Sequence, residues 1–285
     1  MAFGLSEAWR EAAMEWRMSF YEQTIRRLID EGVMSVDDSV LVVCGGGFDA
    51  SVLQASGIRK AVITNLDERY DGYCAPFDWN YADAEALKID DSSYDWVLEH
   101  AGLHHCASPH FALLEMLRVA RKGVLAVESR DSAVMRAAVQ FGFTSEYEIE
   151  SVLLDPNGTG GQRNTGIPNF VYRWTENEVR KAVESAYPDR VNRIRFFYGL
   201  NLPMERLSMS SSAKRAAARL LGIAARAVFQ LLPKQGNQFA FAVIKSNKSK
   251  PWITCDQDGV RVDPDYKVTF DPSKYKRNLR EVEDA

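Results

Sequence analysis

Short apolar runs alternate with amphipathic stretches between residues 38 and 128. The apolar runs predict strands and the amphipathic stretches predict helices. The strands are predicted at Val40–Val43, 60–67, 93–100 and 123–129, and the helices at 49–57 and 110–123. Strands that alternate with helices in this way form a parallel sheet that is covered by helices on both faces. We therefore predict an α/β fold, a three-layer sandwich with a mostly parallel, Rossmann-like sheet.

The pattern changes on both sides of this region. Apolar residues at helical spacing predict one or two helices over 6–31, and the chain from 129 to 235 is more helical and irregular. Thr175, followed three residues later by Glu178, is typical of a capping box at a helix start. The alternating stretch 237–246 predicts an antiparallel strand at the edge of the sheet.

Three consecutive glycines, Gly45, Gly46 and Gly47, separate the first predicted strand from the following helix. A tight turn is one explanation, and a cradle for an anion or a carboxylate at the helix start is another. Asp67 ends the second predicted strand, twenty residues after Gly47. An acidic residue at that spacing accepts hydrogen bonds from ribose hydroxyls. Together the two features predict a nucleoside-containing cofactor.

The segment "YADAEALKIDDSSYDWVLEHAGLHH" and the following "HFALLEMLRVARKGVLAVES" resemble class I S-adenosylmethionine-dependent methyltransferases. The resemblance covers 38–130 closely and 172–245 more loosely. It implies S-adenosyl-L-methionine as the cofactor, with its methionine end at the three glycines. The further cofactor-binding residues that it implies are Asp83, Ala84 and Glu85, near the adenine, in the loop after a third strand that precedes residue 83. It also implies Glu99 and His100, at the end of the fourth strand, which is the one predicted at 93–100.

One part of the family pattern is altered. The family commonly has an acidic residue and a glycine where this chain has Val42 and Cys44. Asp49 is the candidate for replacing the missing acidic residue beside the amino group of the cofactor.

All four histidines lie within eleven residues, at His100, His104, His105 and His110. Packing, a general base for a hydroxyl acceptor and metal ligation are the three interpretations, in that order of preference. His104 and His105 are the candidate catalytic residues. Their adjacent side chains would point apart on a strand, and no spacing typical of a zinc site appears, so no metal is expected.

The turn-rich loop at 155–174 is the candidate substrate-binding lid, because its glycines supply the backbone freedom that a lid needs. Its candidate acceptor-binding residues are Arg163, Asn164, Tyr172 and Arg173, since aromatic rings stack on sugars while arginine and asparagine bind hydroxyls or phosphates. The alternative is that Tyr172 and Trp174 anchor a lid helix. The amphipathic stretch 213–232 has arginines on a narrow arc. It is predicted as a cap helix, with weak membrane-surface contact as the alternative.

Charge and cysteine content exclude some classes of protein. The net charge of −4 argues against a nucleic-acid binder. Four cysteines without CxxC spacing favour a reducing compartment. The charged start of the chain is not typical of a secretory signal, and no apolar run is long enough for a membrane helix. A cytoplasmic location is expected.

The glycine turn, Asp67 and the resemblance through Asp83 and Ala84 imply an S-adenosylmethionine-dependent methyltransferase for a small polar or carbohydrate-like acceptor, with oxygen as the expected methylated atom. An NAD(P)-dependent oxidoreductase would share the glycine turn and the ribose acid, and the altered glycine pattern would suit a non-catalytic partner subunit. The predicted organisation is an N-terminal helical cap at 1–35, a cofactor-binding core at 36–130, a substrate-facing insertion at 131–235, a strand completing the core at 236–246 and an extended tail at 247–285.

Overall fold

Seven strands form one central sheet in the computed structural model, which describes residues 20–202, 222, 225–256 and 259–267. The strands of this sheet are β1 (Ser39–Val42), β2 (Lys60–Asn65), β3 (Asp78–Tyr81), β4 (Tyr94–His100), β5 (Ala120–Ser129), β6 (Arg193–Gly199) and β7 (Gln238–Ile244). A separate antiparallel pair consists of β8 (Ile253–Asp256) and β9 (Gly259–Val262).

The order of the strands in the sheet is β3-β2-β1-β4-β5-β7-β6. The first five are parallel, and β7 runs antiparallel to both β5 and β6. This confirms the predicted mostly parallel, Rossmann-like sheet. The strand order reverses between β1 and β4. Ligands of such sheets bind at that reversal, at the carboxyl ends of the strands.

Helices cover both faces of the sheet. They are α1 (20–30), α2 (Gly47–Ala55), α3 (Pro109–Val119), α4 (Ala133–Gln140), α5 (Ile149–Leu153), α6 (Glu176–Ala186) and α7 (225–231). Val40 and Val42 of β1 pack with buried residues of α1 and α2, whereas Leu41 packs with α3 and α6 on the opposite face. This alternation follows from the two-residue period of a strand. The three-layer sandwich is thus confirmed.

The boundary between α3 and β5 differs from the predicted one. Residues 120–123 were expected to continue the helix, but α3 ends at Val119 and β5 begins at Ala120. Tertiary ion pairs explain the difference, because Arg121 Nη2 lies 2.8 Å from Asp95 Oδ1 and Lys122 Nζ lies 2.5 Å from Asp38 Oδ1. These contacts hold the segment extended beside β4.

Two strand regions carried no clear signal in the sequence. β6 is the antiparallel edge strand, so the predicted strand at 237–246, observed as β7, lies one position inward. The tail, expected to be extended, contains the β8–β9 hairpin. The domain limits drawn from the sequence stay predictions.

Other predictions fall partly outside the described residues. These are the predicted helix at 6–31 before residue 20, and the stretch 213–232 apart from residues 222 and 225–232. Within the described part of the chain, no helix is long and apolar enough to cross a membrane.

Thr175 caps the start of α6 in the way that the sequence predicts. Its hydroxyl accepts a hydrogen bond from the Glu178 amide at 3.3 Å, and Glu178 Oε2 accepts one from the Thr175 amide at 2.8 Å. We expect Thr175→Ala to lower the free energy of unfolding by about 1 kcal/mol, because the amide loses its partner. Thr175→Ser keeps the hydroxyl and should stay near wild type. Urea unfolding measures both, and equal stability of the two variants would contradict the capping role.

Candidate functional site

A cavity of about 490 Å³ lies at the carboxyl ends of the central strands. Its walls come from the turns after β1, β2 and β4, the segment after β3, and the segment 148–164. The turn after β1 is fixed to β2, since the Gly45 amide donates to the Thr64 carbonyl at 2.9 Å and Asn65 Nδ2 donates to the Gly45 carbonyl at 2.8 Å. The parallel sheet therefore brings the sequence-predicted cofactor residues to one place.

The chain leaves both β1 and β4 through a residue in the left-handed backbone region. Cys44 has a φ of 53° and Ala101 a φ of 51°. Residues other than glycine seldom adopt this conformation, and such strain is typical of functional sites. Cys44 stands where the family pattern has a glycine, and the structure requires the glycine-like conformation at that position.

Asp49 is buried and caps the helix that it belongs to. Its Oδ2 accepts a hydrogen bond from the Gly46 amide at 2.9 Å. Burial raises the pKa of Asp49 to about 7, despite the bonds from backbone amides. The side chain lines the cavity, as its candidate role beside the cofactor requires, but one oxygen is already used by the glycine turn.

Asp67 lies at the predicted place after β2, but its carboxylate is hydrogen-bonded to the Arg69 guanidinium. Arg69 Nε lies 2.8 Å from Oδ1 and 3.0 Å from Oδ2 of Asp67, and Arg69 Nη2 lies 2.5 Å from Oδ2. The Arg69 amide also donates to Oδ1. Since a carboxylate has about four lone-pair positions, this residue is saturated with hydrogen bonds. The hydrogen bond from Arg69 lowers the pKa of Asp67, although partial burial opposes the shift.

The two acidic residues after β3 are joined by an arginine from the loop. Arg163 Nη2 lies 2.5 Å from Asp83 Oδ2, and Arg163 Nη1 lies 2.6 Å from Glu85 Oε2. Glu85 also accepts hydrogen bonds from the amides of Ala107 and Ser108, at 3.0 and 2.8 Å. Ala84 is buried between them along the chain and lines the cavity. Arg163, predicted for the acceptor, thus contacts the carboxylates predicted for the cofactor.

Two predicted cofactor residues end β4: Glu99 holds the backbone of the following turn, and His100 lines the cavity. Glu99 is fully buried and accepts hydrogen bonds from the Gly102 and Leu103 amides. Burial, with the negative charge of Glu128, raises the pKa of Glu99 well above its usual value. The His100 ring lies 5.0 Å from Tyr21 and 4.8 Å from Phe48, centroid to centroid, and it reaches the cavity wall.

His104 and His105 lie side by side in a 3-10 turn at Leu103–His105. Their ring centroids are 4.6 Å apart, so the expectation that they point apart is wrong, because the segment is a turn and not a strand. His104 Nδ1 lies 2.8 Å from the buried Glu128 Oε2. Glu148 approaches both rings, at 3.6 Å from His104 Nε2 and 3.5 Å from His105 Nε2. His105 and Glu148 line the cavity, whereas His104 lies behind them.

The four ionisable groups of this cluster, His104, His105, Glu128 and Glu148, affect one another's pKa values. Burial alone would disfavour a charged His104, but Glu128 and Glu148 outweigh it and raise the pKa of His104 to about 10. Burial and the neighbouring His104 lower the pKa of His105. Burial also opposes ionisation of Glu148, yet contact with His104 lowers the pKa of Glu148 to about 2.

The four candidate acceptor residues divide between two cavities. Arg163 and Asn164 line the cavity at the strand ends. Tyr172 and Arg173 line a second cavity of about 630 Å³ instead. The Tyr172 hydroxyl is also engaged by Glu178 at 2.8 Å and by His110 at 2.9 Å. The structure therefore does not bring these four side chains to one site.

Glu128, Glu148 and Arg69 are site residues that the sequence reasoning missed. Glu128 lies inside a predicted strand, and Glu148 comes from an irregular segment far from the histidines in sequence. No spacing rule marks either of them. Arg69 was detectable only as a basic residue two positions after Asp67.

Residues 41–127, from β1 to the later part of β5, match a protein-family model described as methyltransferase domain. This part of the chain is therefore similar to a methyltransferase domain, in agreement with the predicted resemblance to class I S-adenosylmethionine-dependent methyltransferases. Among curated protein sequences, none matches the chain.

Solved structures of methyltransferases have similar folds. The methyltransferase in complex with the Haloferax volcanii Trm112 activator is 15% identical, with a TM-score of 0.51, and the match covers 84% of this chain and 93% of that one. A Bacillus halodurans methyltransferase has a TM-score of 0.49 at 15% identity, over 78% of this chain and 99% of that one. Magnesium protoporphyrin IX methyltransferase from Synechocystis, with bound SAH, has a TM-score of 0.49 at 12% identity, over 81% and 84% of the two chains.

The chemistry of the cavity fits S-adenosylmethionine, since the glycine turn and two carboxylates line it. The turn itself needs glycine for its own packing, because a Cβ on Gly46 would lie 2.7 Å from the Tyr70 ring. Asp67 and Asp83 are carboxylates at the ends of neighbouring strands, where ribose and adenine lie in such domains. Arg69 limits this fit, because ribose hydroxyls can bind Asp67 only when Arg69 gives up its hydrogen bonds to one carboxylate oxygen of Asp67.

We expect Arg69→Ala to tighten binding of S-adenosylhomocysteine, because the variant frees Asp67 for the ribose hydroxyls. Arg69 is 42% exposed, so the ion pair is worth at most about 1 kcal/mol and the dissociation constant should fall by up to about fivefold. Arg59→Ala removes an exposed arginine that pairs with Asp37 away from the cavity, and it is the matched control. Calorimetric titration measures both. Weaker binding by Arg69→Ala would show that Arg69 itself holds the cofactor.

We expect Asp49→Asn to alter the pH dependence of stability. The folded-state pKa of about 7 lies above the unfolded value of 3.8, so the folded state keeps a proton that the unfolded state releases between these pH values. The stability that this proton gives is lost as pH rises from about 4 to 7. Asparagine cannot ionise, so the variant should gain stability relative to wild type between pH 5 and pH 8, by at most about 1.4 kcal/mol per pH unit. Urea unfolding at both pH values tests this, and a constant difference would contradict it.

Proposed function

We propose that this chain transfers a methyl group from S-adenosylmethionine to an oxygen atom of a small polar or carbohydrate-like acceptor. The observation that carries the proposal is the composition of one cavity. Its wall combines the glycine turn and Asp67, which suit a nucleoside, with His105 and Glu148, which suit an acceptor that bears hydroxyl groups. Cofactor and acceptor can meet in this single space.

The cofactor supplies a methyl group on a positively charged sulfur, which becomes a neutral thioether when the acceptor oxygen attacks the methyl carbon. The chain's own part is to align the two molecules and to exclude water. In this proposal Gly45, Gly46 and Gly47, which line the cavity, lie beside the methionine end. Asp67 accepts hydrogen bonds from the ribose, and Asp83 lies beside the adenine.

An acceptor hydroxyl loses its proton as the new carbon–oxygen bond forms. His105 Nε2 and the Glu148 carboxylate lie 3.5 Å apart on the cavity wall, where each can accept a hydrogen bond from such a hydroxyl. His104 lies behind them and is held by Glu128. The two predicted catalytic histidines thus receive different roles, with His105 contacting the acceptor and His104 positioning its neighbours.

The polar lining of the outer wall supports an acceptor rich in hydroxyl groups. Ser151 and Asn164 line the cavity beside Gly160 and Gly161. Hydroxyl, amide and carbonyl groups can exchange hydrogen bonds with a sugar. A carbohydrate-like acceptor suits this wall better than an apolar one.

The loop at 155–164 is proposed as the lid of this cavity. Arg69 Nη2 ties it down at Asp155, at 2.8 Å, and Arg163 ties it to Asp83 and Glu85. Both arginines bind carboxylates that are proposed for the cofactor, so lid attachment and cofactor entry compete for the same groups. Arg163 therefore belongs to closure of the cavity rather than to recognition of the acceptor.

Transfer of a labelled methyl group tests this function. Purified protein and labelled S-adenosylmethionine are incubated with nucleotide sugars, sugar phosphates and short glycans. We expect label on an oxygen of one class. His105→Gln should lower turnover at least about tenfold and leave the affinity for S-adenosylhomocysteine within about twofold.

His110→Gln is the matched control, because it replaces a histidine that lies outside the cavity and pairs with Tyr172. It should keep wild-type turnover. Label on nitrogen or carbon would contradict O-methylation. Equal loss of turnover in both variants would contradict the role of His105.

A further inference from the structure

Three potential metal ligands converge at the cavity wall. They are His104 Nε2, His105 Nε2 and the carboxylate of Glu148, and these ligand atoms all lie within 4.8 Å of one another. The Glu148 oxygens lie 3.6 Å from His104 Nε2 and 3.5 Å from His105 Nε2. These distances are at or beyond the limit of a direct hydrogen bond. They are close to the separation of roughly 3.4 Å between two ligands that each lie about 2.1 Å from a shared tetrahedral ion.

The Nδ1 atom of each histidine ring, on the side away from Glu148, faces a hydrogen-bond acceptor. His104 Nδ1 faces Glu128 Oε2 at 2.8 Å, and His105 Nδ1 faces the Gly161 carbonyl at 3.5 Å. Both partners of the Nδ1 atoms are acceptors, so each Nδ1 can carry a hydrogen, and each Nε2 becomes a metal ligand when a cation displaces any proton on it. Two imidazole nitrogens and a carboxylate that face one another at these distances can share one divalent cation.

The supporting contacts resemble those around bound metals. A ligating histidine usually donates its other ring nitrogen to a carboxylate or a carbonyl, which fixes the orientation of the ring. Glu128 has this position behind His104 and is buried. Asn169, itself buried, lies with Nδ2 at 3.5 Å from Glu148 Oε2 and so orients the third ligand.

We propose that His104, His105 and Glu148 bind a divalent transition-metal cation, for which Zn²⁺ is the best match. Two imidazoles and one carboxylate are a ligand set that zinc accepts in sites with three protein ligands and one open position. Small rotations of the side chains bring the three atoms to bonding distance. His105 and Glu148 line the cavity, so the open position faces it.

The open position gives the ion a role at the acceptor. With the ion bound, His105 and Glu148 would hold the ion instead of contacting the acceptor directly, and the ion would bind the acceptor hydroxyl and lower its pKa. The proton of the hydroxyl would pass to the Glu148 oxygen that does not bind the ion. This role rests on the proposed function, whereas metal binding itself does not. The acceptor would then be anchored through the oxygen that receives the methyl group.

Metal content tests the site directly. Full-length protein is treated with EDTA, dialysed against Zn²⁺ and analysed for metal by mass spectrometry, and its affinity is measured by competition with a chelating dye. We expect one ion per chain. His105→Gln and Glu148→Gln should each weaken binding at least about tenfold.

Glu146→Gln and His110→Gln are the matched controls. Glu146 is an exposed carboxylate two residues from Glu148, and His110 lies outside the cluster. Both should bind zinc like wild type. Absence of stoichiometric zinc, or equal affinity of the cluster variants and the controls, would overturn the site. Circular dichroism and binding of S-adenosylhomocysteine show whether the variants fold.

A visible absorption spectrum after loading with Co²⁺ gives a readout that is independent of activity. A tetrahedral spectrum that disappears in Glu148→Gln supports the site, and a spectrum identical to that of free Co²⁺ contradicts it.

If zinc binds but no acceptor is methylated, the proposed function fails and the metal site stands. If methyl transfer is as fast in metal-free protein as in zinc-loaded protein, the role of the ion at the acceptor fails.

Discussion

The amide of Leu103 donates to two buried carboxylates at once, Glu99 Oε1 at 3.1 Å and Glu128 Oε1 at 2.8 Å. These glutamates lie on the neighbouring strands β4 and β5, and each is at most 4% exposed. Burying two carboxylates together is costly unless hydrogen bonds and a counter-charge compensate. The backbone amides after β4 and the His104 ring supply that compensation. The pKa of Glu99 is raised by burial and by Glu128, whereas His104 outweighs burial and lowers the pKa of Glu128.

The geometry of the site follows from this arrangement. The chain must turn sharply after β4 to bring the Leu103 amide to both carboxylates, and Ala101 takes a left-handed conformation there. A side chain at Gly102 is excluded, since its Cβ would lie 2.4 Å from Cys44 Cβ. The resulting 3-10 turn presents both histidines toward Glu148. The same turn packs against the exit of β1, so the cofactor end and the histidine end of the cavity share one rigid boundary.

The parts of the fold that are local in sequence could be predicted. The apolar strands β1 and β4 and the capping box at Thr175 depend on neighbouring residues, and Asp67 depends on a spacing along one strand–helix–strand unit. The edge strand β6 could not be predicted with the same rules, because most of it is half-buried and it pairs only with β7. The convergence of the histidines with Glu148 depends on a turn that was read as strand.

Long-range pairs explain the other differences at the site. Arg163 reaches Asp83 and Glu85, and Arg69 reaches Asp155 in the loop in addition to its local pair with Asp67. Arg163 itself has a left-handed φ of 50°. The sequence identifies Asp67, Asp83 and Glu85 as acidic residues in series, but it does not indicate that arginines already occupy them. Electrostatic pairing between distant segments is therefore the part of this site that only the structure provides.

The central claim is that the cavity at the ends of β1, β2 and β4 binds a sulfur nucleoside through Asp67. Calorimetric titration of the full chain with S-adenosylhomocysteine is the most direct measurement, with Asp67→Ala as the comparison and NAD as the rival ligand. The account predicts one binding site per chain and a loss of roughly 1–3 kcal/mol of binding free energy in Asp67→Ala, because a charged acceptor is removed from two hydroxyls. No binding of the sulfur nucleoside, binding of NAD in its place, or unchanged affinity of Asp67→Ala would contradict it.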